Sequence, residues 1–146
     1  MLNHTAAILL IFGMAYLSGA AERPTIFGKT DNGKTLTLAT GKTFRLELAS
    51  NPTTGFDWHL EGLDTKSFMV VSSGFNPPNT KLVGAGGIDW WEITALKPGQ
   101  HKIRLLYYRI WEGKGKAVDQ YTLQLKILPA KPIPPKKLRS PCVKTL

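Results

Sequence analysis

The sequence is poor in the residues and motifs that mark several common protein classes. It contains one cysteine, Cys142, which excludes an internal disulfide framework and a cysteine-rich zinc site, because both need several sulfur atoms. It contains no His-Glu-x-x-His, no Gly-x-Ser-x-Gly and no glycine-rich phosphate loop, which are the usual signs of metal, nucleophilic and nucleotide chemistry. We therefore predict that the protein is not an enzyme and uses no metal or cofactor.

Acidic residues are also scarce, so the protein carries an excess of positive charge. The positions of the basic residues indicate what this charge could bind. The 146 residues include 19 Lys and Arg against 10 Asp and Glu, a net charge of +9. Residues 129–146 hold five of the basic residues together with five prolines and no acidic residue. This composition predicts an extended, solvated, basic tail, or alternatively a segment that binds anionic polysaccharide or lipid. No nucleic-acid-binding motif accompanies the charge, so nucleic acid is not an expected partner.

The first 21 residues resemble a secretion signal. Met1–Ala21 contains no charged side chain, and the apolar run Ala6–Leu17 leads into the small residues Ser18–Ala21, as signal peptidase requires. The run is shorter than the ~20 residues that a membrane-spanning helix needs, so no stable membrane span is expected. We predict a signal peptide over 1–21, a folded domain over 22–128 and a tail over 129–146. The mature protein would be periplasmic, secreted or on the secretory and lysosomal route.

The central part of the sequence alternates between apolar and polar residues in short runs. Runs of this kind, separated by Gly, Pro and Asn, are typical of β-strands. The predicted strands are Lys34–Ala39, Lys42–Ala49, Phe56–Leu60, Phe68–Ser73, Ile88–Ala95, His101–Arg109 and Val118–Leu128. Seven strands with this spacing predict an all-β, immunoglobulin-like antiparallel sandwich, which lacks a disulfide and is expected to be monomeric.

Two titratable residues of one predicted strand have the spacing of a metal-binding pair. Asp57 and His59 would lie on the same strand face, whereas His101 lies on another strand. A solvated pair at a sheet edge is the simpler interpretation, because no further ligand accompanies them. No metal site is predicted here.

Three connections between the predicted strands have unusual sequences. In the first, NPTTG, proline fixes its own φ and glycine permits a positive φ, so we expect a stiff bend that projects two hydroxyl groups. The second ends in LVGAGG, whose bare backbone allows an extended partner to approach closely. The third opens with RIW, and Arg and Trp are enriched at binding hot spots. The candidate binding residues are Asn51, Pro52, Thr53, Thr54, Gly55, Leu82, Val83, Gly84, Ala85, Gly86, Gly87, Arg109, Ile110 and Trp111.

Each of these segments also has an ordinary explanation when it is considered alone. The first is explained as a strand turn, the second as a mobile linker and the third as a tryptophan that caps the core. In an immunoglobulin-like sandwich, however, these three connections (BC, DE and FG) emerge at the same end of the molecule. We therefore expect them to form one continuous binding surface.

The three motifs together resemble those of a known family. NPTTGF at Asn51–Phe56, GAGG at Gly84–Gly87 and RIW at Arg109–Trp111 are similar in order and spacing to the loop motifs of chagasin-type inhibitors of papain-like cysteine peptidases. The resemblance covers about Thr35–Leu128, and Ile110 stands where the family usually has proline. It implies a reversible, non-covalent inhibitor that presents its loops to the active-site cleft of the peptidase.

The resemblance also implies a role for each loop. Thr53 and Thr54 would lie over the catalytic Cys–His pair of a papain-like peptidase of the cathepsin L or B type. The second loop would follow the cleft on its non-primed side, and Trp111 with Arg109 would pack on the primed side. No cofactor is implied.

An exported immunoglobulin-like module that binds glycans or mediates adhesion is the alternative function. Such a module would use aromatic side chains exposed on a sheet face, for which the candidates are Trp58, Trp90 and Tyr108. The basic tail would then add affinity for anionic polymers.

Overall fold

The computed structural model describes residues 23–80 and 82–132, which form two packed β-sheets. One sheet has the strand order β1-β3-β6-β5 and the other the order β2-β8-β7-β4. The strands are β1 (Thr25–Phe27), β2 (Thr35–Ala39), β3 (Thr43–Ser50), β4 (Asp57–Glu61), β5 (Phe68–Asn76), β6 (Gly87–Ala95), β7 (Gly99–Tyr108) and β8 (Asp119–Leu128). The predicted all-β sandwich is confirmed.

The core is built from the inward side chains of alternating strand positions. β3 pairs with β6 so that Phe44 lies opposite Ile93 and Leu46 opposite Trp91. A shift of one residue in this register would turn every apolar side chain of the strand outward, so the alternation fixes the pairing. The side chains buried between the sheets include Phe44, Leu46, Leu48, Ile93, Ile103, Leu105, Tyr121, Leu123, Leu125 and Ile127. Their burial stabilises the domain without a disulfide.

The structure adds one strand to the seven that the sequence predicts. β1 has three residues, too few for alternation to be recognised, and it pairs in parallel with β3. Its buried Phe27 contacts Phe44, with the two ring centroids 5.6 Å apart. β2 also runs parallel to its neighbour β8, whereas the other four strand pairs are antiparallel.

β5 extends beyond its predicted end at Ser73 to Asn76. Its register shifts between Val70 and Ser72, which marks a β-bulge. The predicted strand already spans this bulge, and it stops at Ser73 because Gly74 and Asn76 are residue types common in turns.

The strand registers place three connections at one end of the sandwich. Ser50 at the end of β3 lies opposite Gly87 at the start of β6. In the other sheet, Asp57 at the start of β4 lies opposite Tyr108 near the end of β7, and Tyr107 lies opposite Asp119 at the start of β8. The β3–β4, β5–β6 and β7–β8 connections therefore emerge together.

The proposed signal peptide over 1–21 and most of the tail, including Cys142, lie outside the described residues. Residues 129–132 are described and have no regular secondary structure. Within the described ranges no helix is both long enough and apolar enough to cross a membrane. The division into signal peptide, domain and tail remains a prediction.

Candidate functional site

The first loop (Asn51–Gly55) is a bend that its own hydrogen bonds hold in shape. Pro52–Thr54 form one 3-10 turn, and Gly55 ends it in the left-handed region with a φ of 79°. The carbonyl of Asn51 accepts hydrogen bonds from the backbone N–H of Thr54 at 3.1 Å and from its hydroxyl at 2.7 Å. The Thr53 hydroxyl donates to Oδ1 of Asn51 at 2.6 Å. As expected, the bend is internally fixed and leaves both threonines exposed.

The second loop (Leu82–Gly87) packs directly on the first. Nδ2 of Asn51 donates a hydrogen bond to the carbonyl of Gly84 at 3.0 Å. Gly84 has a φ of 78°, a conformation that favours glycine. A Cβ atom at Gly86 would lie 2.8 Å from the carbonyl oxygen of Ser50. These glycines allow close backbone packing, so the described part of this segment is more than a linker.

The third loop (Arg109–Lys116) packs on the other side of the first. The indole of Trp111 lies over Gly55, where a Cβ atom would approach its Cζ2 to 2.8 Å. Nε of Arg109 donates to the carbonyl of Thr54 at 3.1 Å, and the same guanidinium lies 4.4 Å from the ring centroid of Phe56. Trp111 is 69% exposed, so it does not cap the core.

The tip of the third loop is a tight turn centred on Ile110 and Trp111. The backbone N–H of Glu112 donates to the carbonyl of Arg109 at 3.0 Å, and the two side chains form a salt bridge of 3.1 Å. No non-glycine residue in the described ranges has a positive φ, which excludes a type II turn. Ile110 occupies the position at which β-turns favour proline, so the turn forms without the family's proline.

The three loops form one surface with exposed apolar side chains. Leu82 is 75% exposed, Val83 103%, Ile110 65% and Trp111 69%. Exposed apolar groups gathered at one end of a molecule are typical of protein interaction sites. The structure thus brings together the three predicted segments, while the binding of a peptidase by these residues stays a prediction.

Tyr107, an aromatic residue that supports the first loop, was not predicted as part of the site. The backbone N–H of Asn51 donates to Oη of Tyr107 at 3.0 Å. The Tyr107 ring lies between Phe56 and Trp58, with centroid distances of 5.5 and 4.9 Å. A tyrosine on the inward face near a strand end needs a partner for its hydroxyl group, and this was the available signal in the sequence.

The base of the first loop contains a buried carboxyl group. The loop leaves β3 at Ser50 and enters β4 at Asp57, and Asp89 of β6, only 7% exposed, lies beside both. Burial raises the pKa of Asp89 above its usual value of 3.8, and the Asp57 carboxylate raises it further, whereas Ser50 and His59 oppose the shift. An ionised Asp89 is therefore unfavourable in the folded protein.

We expect Asp89→Asn to raise the melting temperature by a few degrees at pH 7, and by less as the pH approaches 4. The unfolded chain releases this proton near pH 3.8 and the folded chain at a higher pH. The free energy of unfolding therefore falls as the pH rises between the two values, and asparagine removes that loss. Thermal unfolding of both proteins at several pH values measures the difference.

Asp64→Asn is the control for this prediction. Hydrogen bonds from Ser67 and Lys66 lower the pKa of Asp64, so its carboxylate stabilises the fold above the usual value of 3.8 and loses that contribution as the pH falls. This variant should lower the melting temperature at pH 7. The same shift at every pH for Asp89→Asn would contradict the assignment of Asp89.

Asp57 and His59 lie in different environments. Asp57 is exposed, whereas His59 is half-buried with its ring centroid 4.3 Å from that of Tyr108. Among the described residues no group of three or more His, Cys, Asp or Glu is arranged to hold a metal ion.

The aromatic face suggested for glycan binding is not present as expected. Trp58 is 6% exposed and Tyr108 8%, so neither is available to stack on a sugar. The guanidinium of Arg45 lies 4.0 Å from the ring centroid of Trp90 and covers that ring.

Comparisons with known proteins identify several similar chains. A family model described as chagasin family peptidase inhibitor I42 matches residues 37–126. Chagasin from Trypanosoma cruzi is 39% identical over 102 residues, which cover 67% of this chain and 93% of chagasin. Amoebiasin-1 from Entamoeba histolytica is 34% identical over 83 residues, 56% of this chain and 78% of that protein. The crystal structure of a cysteine protease inhibitor from Entamoeba histolytica has a TM-score of 0.64 at 25% identity, covering 71% of this chain and 95% of that chain.

Proposed function

Because this chain belongs to the chagasin family of peptidase inhibitors, we propose that it inhibits papain-like cysteine peptidases reversibly, by filling the active-site cleft with its three loops. The observation that carries the proposal is the packing of the loops into one exposed surface, with Asn51 bonded to Gly84 and Trp111 lying over Gly55. The family consists of inhibitors rather than enzymes, in agreement with a sequence that lacks catalytic motifs.

The first loop enters the cleft without being cleaved, because it is a closed turn held by its own hydrogen bonds rather than an extended segment. The carbonyls of Asn51 and Pro52 accept hydrogen bonds within the turn, and the carbonyl of Thr54 accepts one from Arg109. A catalytic thiolate needs an extended substrate with its carbonyl aligned for attack. The turn does not present such a carbonyl, so Thr53 and Thr54 occupy the catalytic centre without forming a covalent bond.

The other two loops supply contacts on either side. The second loop follows the non-primed side of the cleft, where its glycine backbone allows close approach and Leu82 and Val83 add apolar contact. Trp111 anchors the primed side, as exposed central tryptophans do at many interfaces. Loops already fixed against one another lose little conformational entropy on binding, so more of the contact energy contributes to affinity.

We also propose that the protein acts outside the cytoplasm. The sequence before Glu22 has an uncharged apolar run, Ala6–Leu17, followed by the small residues Ser18–Ala21. This arrangement is typical of a cleaved signal peptide. The mature protein would therefore meet its peptidase after export, as a monomer.

Titration of the purified full chain against papain and trypsin tests the proposal. We expect stoichiometric loss of papain activity, unchanged trypsin activity, and recovery of intact protein from the papain complex. Cleavage of the chain within Asn51–Gly55, or equal inhibition of both enzymes, would contradict a non-covalent inhibitor of the papain class.

A further inference from the structure

One outer sheet face is polar and positively charged, and the three loops do not use it. On β7 and β8 the outward side chains alternate with buried Ile103, Leu105, Leu123 and Leu125. β2 lies beside β8 and adds two threonines. We call this surface the β7–β8 face, and it consists of Thr35, Thr37, Gln100, Lys102, Arg104, Thr122, Gln124 and Lys126. None of these side chains is acidic or apolar.

The two lysines of this face lack a carboxylate partner. Other described cations, such as Arg45, Arg109 and Lys114, form salt bridges, but no salt bridge of the described residues involves Lys102 or Lys126. Lys102 lies opposite Gln124 and Lys126 opposite Gln100, so the two ammonium groups are diagonal neighbours. Diagonal positions are about 7–8 Å apart, within reach of long side chains. Their uncompensated repulsion would be relieved by a bound anion.

The third cation of the face, Arg104, forms no salt bridge with the described residues. Nη2 of Arg104 donates to Oε1 of Gln120 at 2.7 Å. Glu61 lies opposite Arg104 on β4, but its carboxylate pairs with Lys114 at 3.5 Å. The face thus combines three cations with amide and hydroxyl groups.

We infer that the β7–β8 face binds an acidic polysaccharide, a polymer whose hydroxyl groups alternate with sulfates or carboxylates. The cations match its anionic groups through charge-assisted hydrogen bonds, and the glutamines and threonines match its hydroxyls. The face has no aromatic side chain on which a nucleic-acid base would stack. It also has no apolar side chain that would insert into a bilayer.

A polymer on this face leaves the loops free. Lys102 precedes Tyr108, at the end of β7, by six residues, a distance of about 20 Å along a strand. The protein can therefore be held on an acidic matrix while its loops face the solvent.

Binding of the full chain to immobilised heparin and hyaluronate, with neutral dextran as a blank, tests this inference. The double variant Lys102→Gln/Lys126→Gln should bind roughly 30-fold more weakly near physiological salt, given about 1 kcal/mol for each cation at an anionic surface. Lys66→Gln/Lys97→Gln removes the same charge from two exposed turn lysines that form no described salt bridge. It should bind like the unmodified chain, and both variants should inhibit papain equally well.

Two outcomes would overturn the inference, and a third would overturn only the proposed function. Equal weakening by the two double variants would mean that binding reflects net charge alone. Tighter binding to anionic lipid vesicles or to duplex DNA than to heparin, lost in Lys102→Gln/Lys126→Gln, would assign the face to another partner. Failure to inhibit papain alongside intact heparin binding would refute the proposed function and leave this inference standing.

Discussion

Replacing Trp111 with alanine is expected to weaken inhibition of papain by a factor of about 30 to 1000, which corresponds to 2–4 kcal/mol of binding free energy. The indole is 69% exposed yet rests on Gly55 and lies beside the Arg109 segment. It is therefore held in position before the peptidase arrives, and its apolar surface becomes buried only in the complex. Inhibition constants from competition with a fluorogenic substrate measure the loss.

The matched control is Val118→Ala. Val118 is 65% exposed and follows the third loop, but it lies outside the three predicted motifs, so its truncation should leave inhibition within about twofold of the unmodified protein. Both variants should keep the melting temperature of the unmodified protein, because neither side chain is in the core. Unchanged inhibition by Trp111→Ala would show that the third loop is not an anchor.

Most of the strands could be predicted, because the alternation that identifies each strand lies within its own sequence. Alternation in Thr43–Ser50 or Asp119–Leu128 needs only the period of a strand and an apolar face. The family resemblance rests on loop motifs of the same local kind, and it is confirmed. The three-residue β1 and the bulge after Val70 were missed, because neither leaves a period of two in the sequence.

Alternation also failed where a loop covers the outside of a sheet. Leu106 and Tyr108 occupy outward positions of β7 but are 7% and 8% exposed. Leu106 lines one cavity together with Lys114 and Val118 of the β7–β8 connection, and the His59 ring packs against Tyr108. This burial involves residues of β4 and of the connection after β7, so no local pattern in β7 predicts it.

The convergence of the loops could be predicted, but the contacts that fix it could not. That the three connections share one end follows from sandwich topology. The hydrogen bond from Asn51 to Gly84 and that from Arg109 to Thr54 join residues 33 and 55 positions apart. Neither bond leaves a signal in either segment alone. Gly55 shows the difference. The sequence assigns it to a turn, and the structure adds a second requirement, which is space for the Trp111 ring.

That second requirement predicts a large effect for Gly55→Ala. The φ of 79° makes any side chain unfavourable there, at a cost of about 1–2 kcal/mol. The new methyl group would also overlap the Trp111 ring and displace the indole. We expect inhibition of papain to weaken at least about 30-fold, as for loss of the anchor itself. The control is Gly41→Ala, where φ is 83° and no atom lies within 4 Å of the added Cβ. It should reduce stability to a similar extent and leave inhibition unchanged.

A double-mutant cycle separates backbone strain from displacement of the indole. If Gly55→Ala acts by moving Trp111, adding it to Trp111→Ala removes nothing further from the interface. The double variant should then inhibit papain about as well as Trp111→Ala alone, with a coupling free energy of roughly 2 kcal/mol or more. If the two losses instead add, the alanine at 55 acts through the first loop itself, and the contact between Gly55 and Trp111 does not position the anchor. Inhibition constants and melting temperatures of all four proteins, measured at one pH, decide between these results.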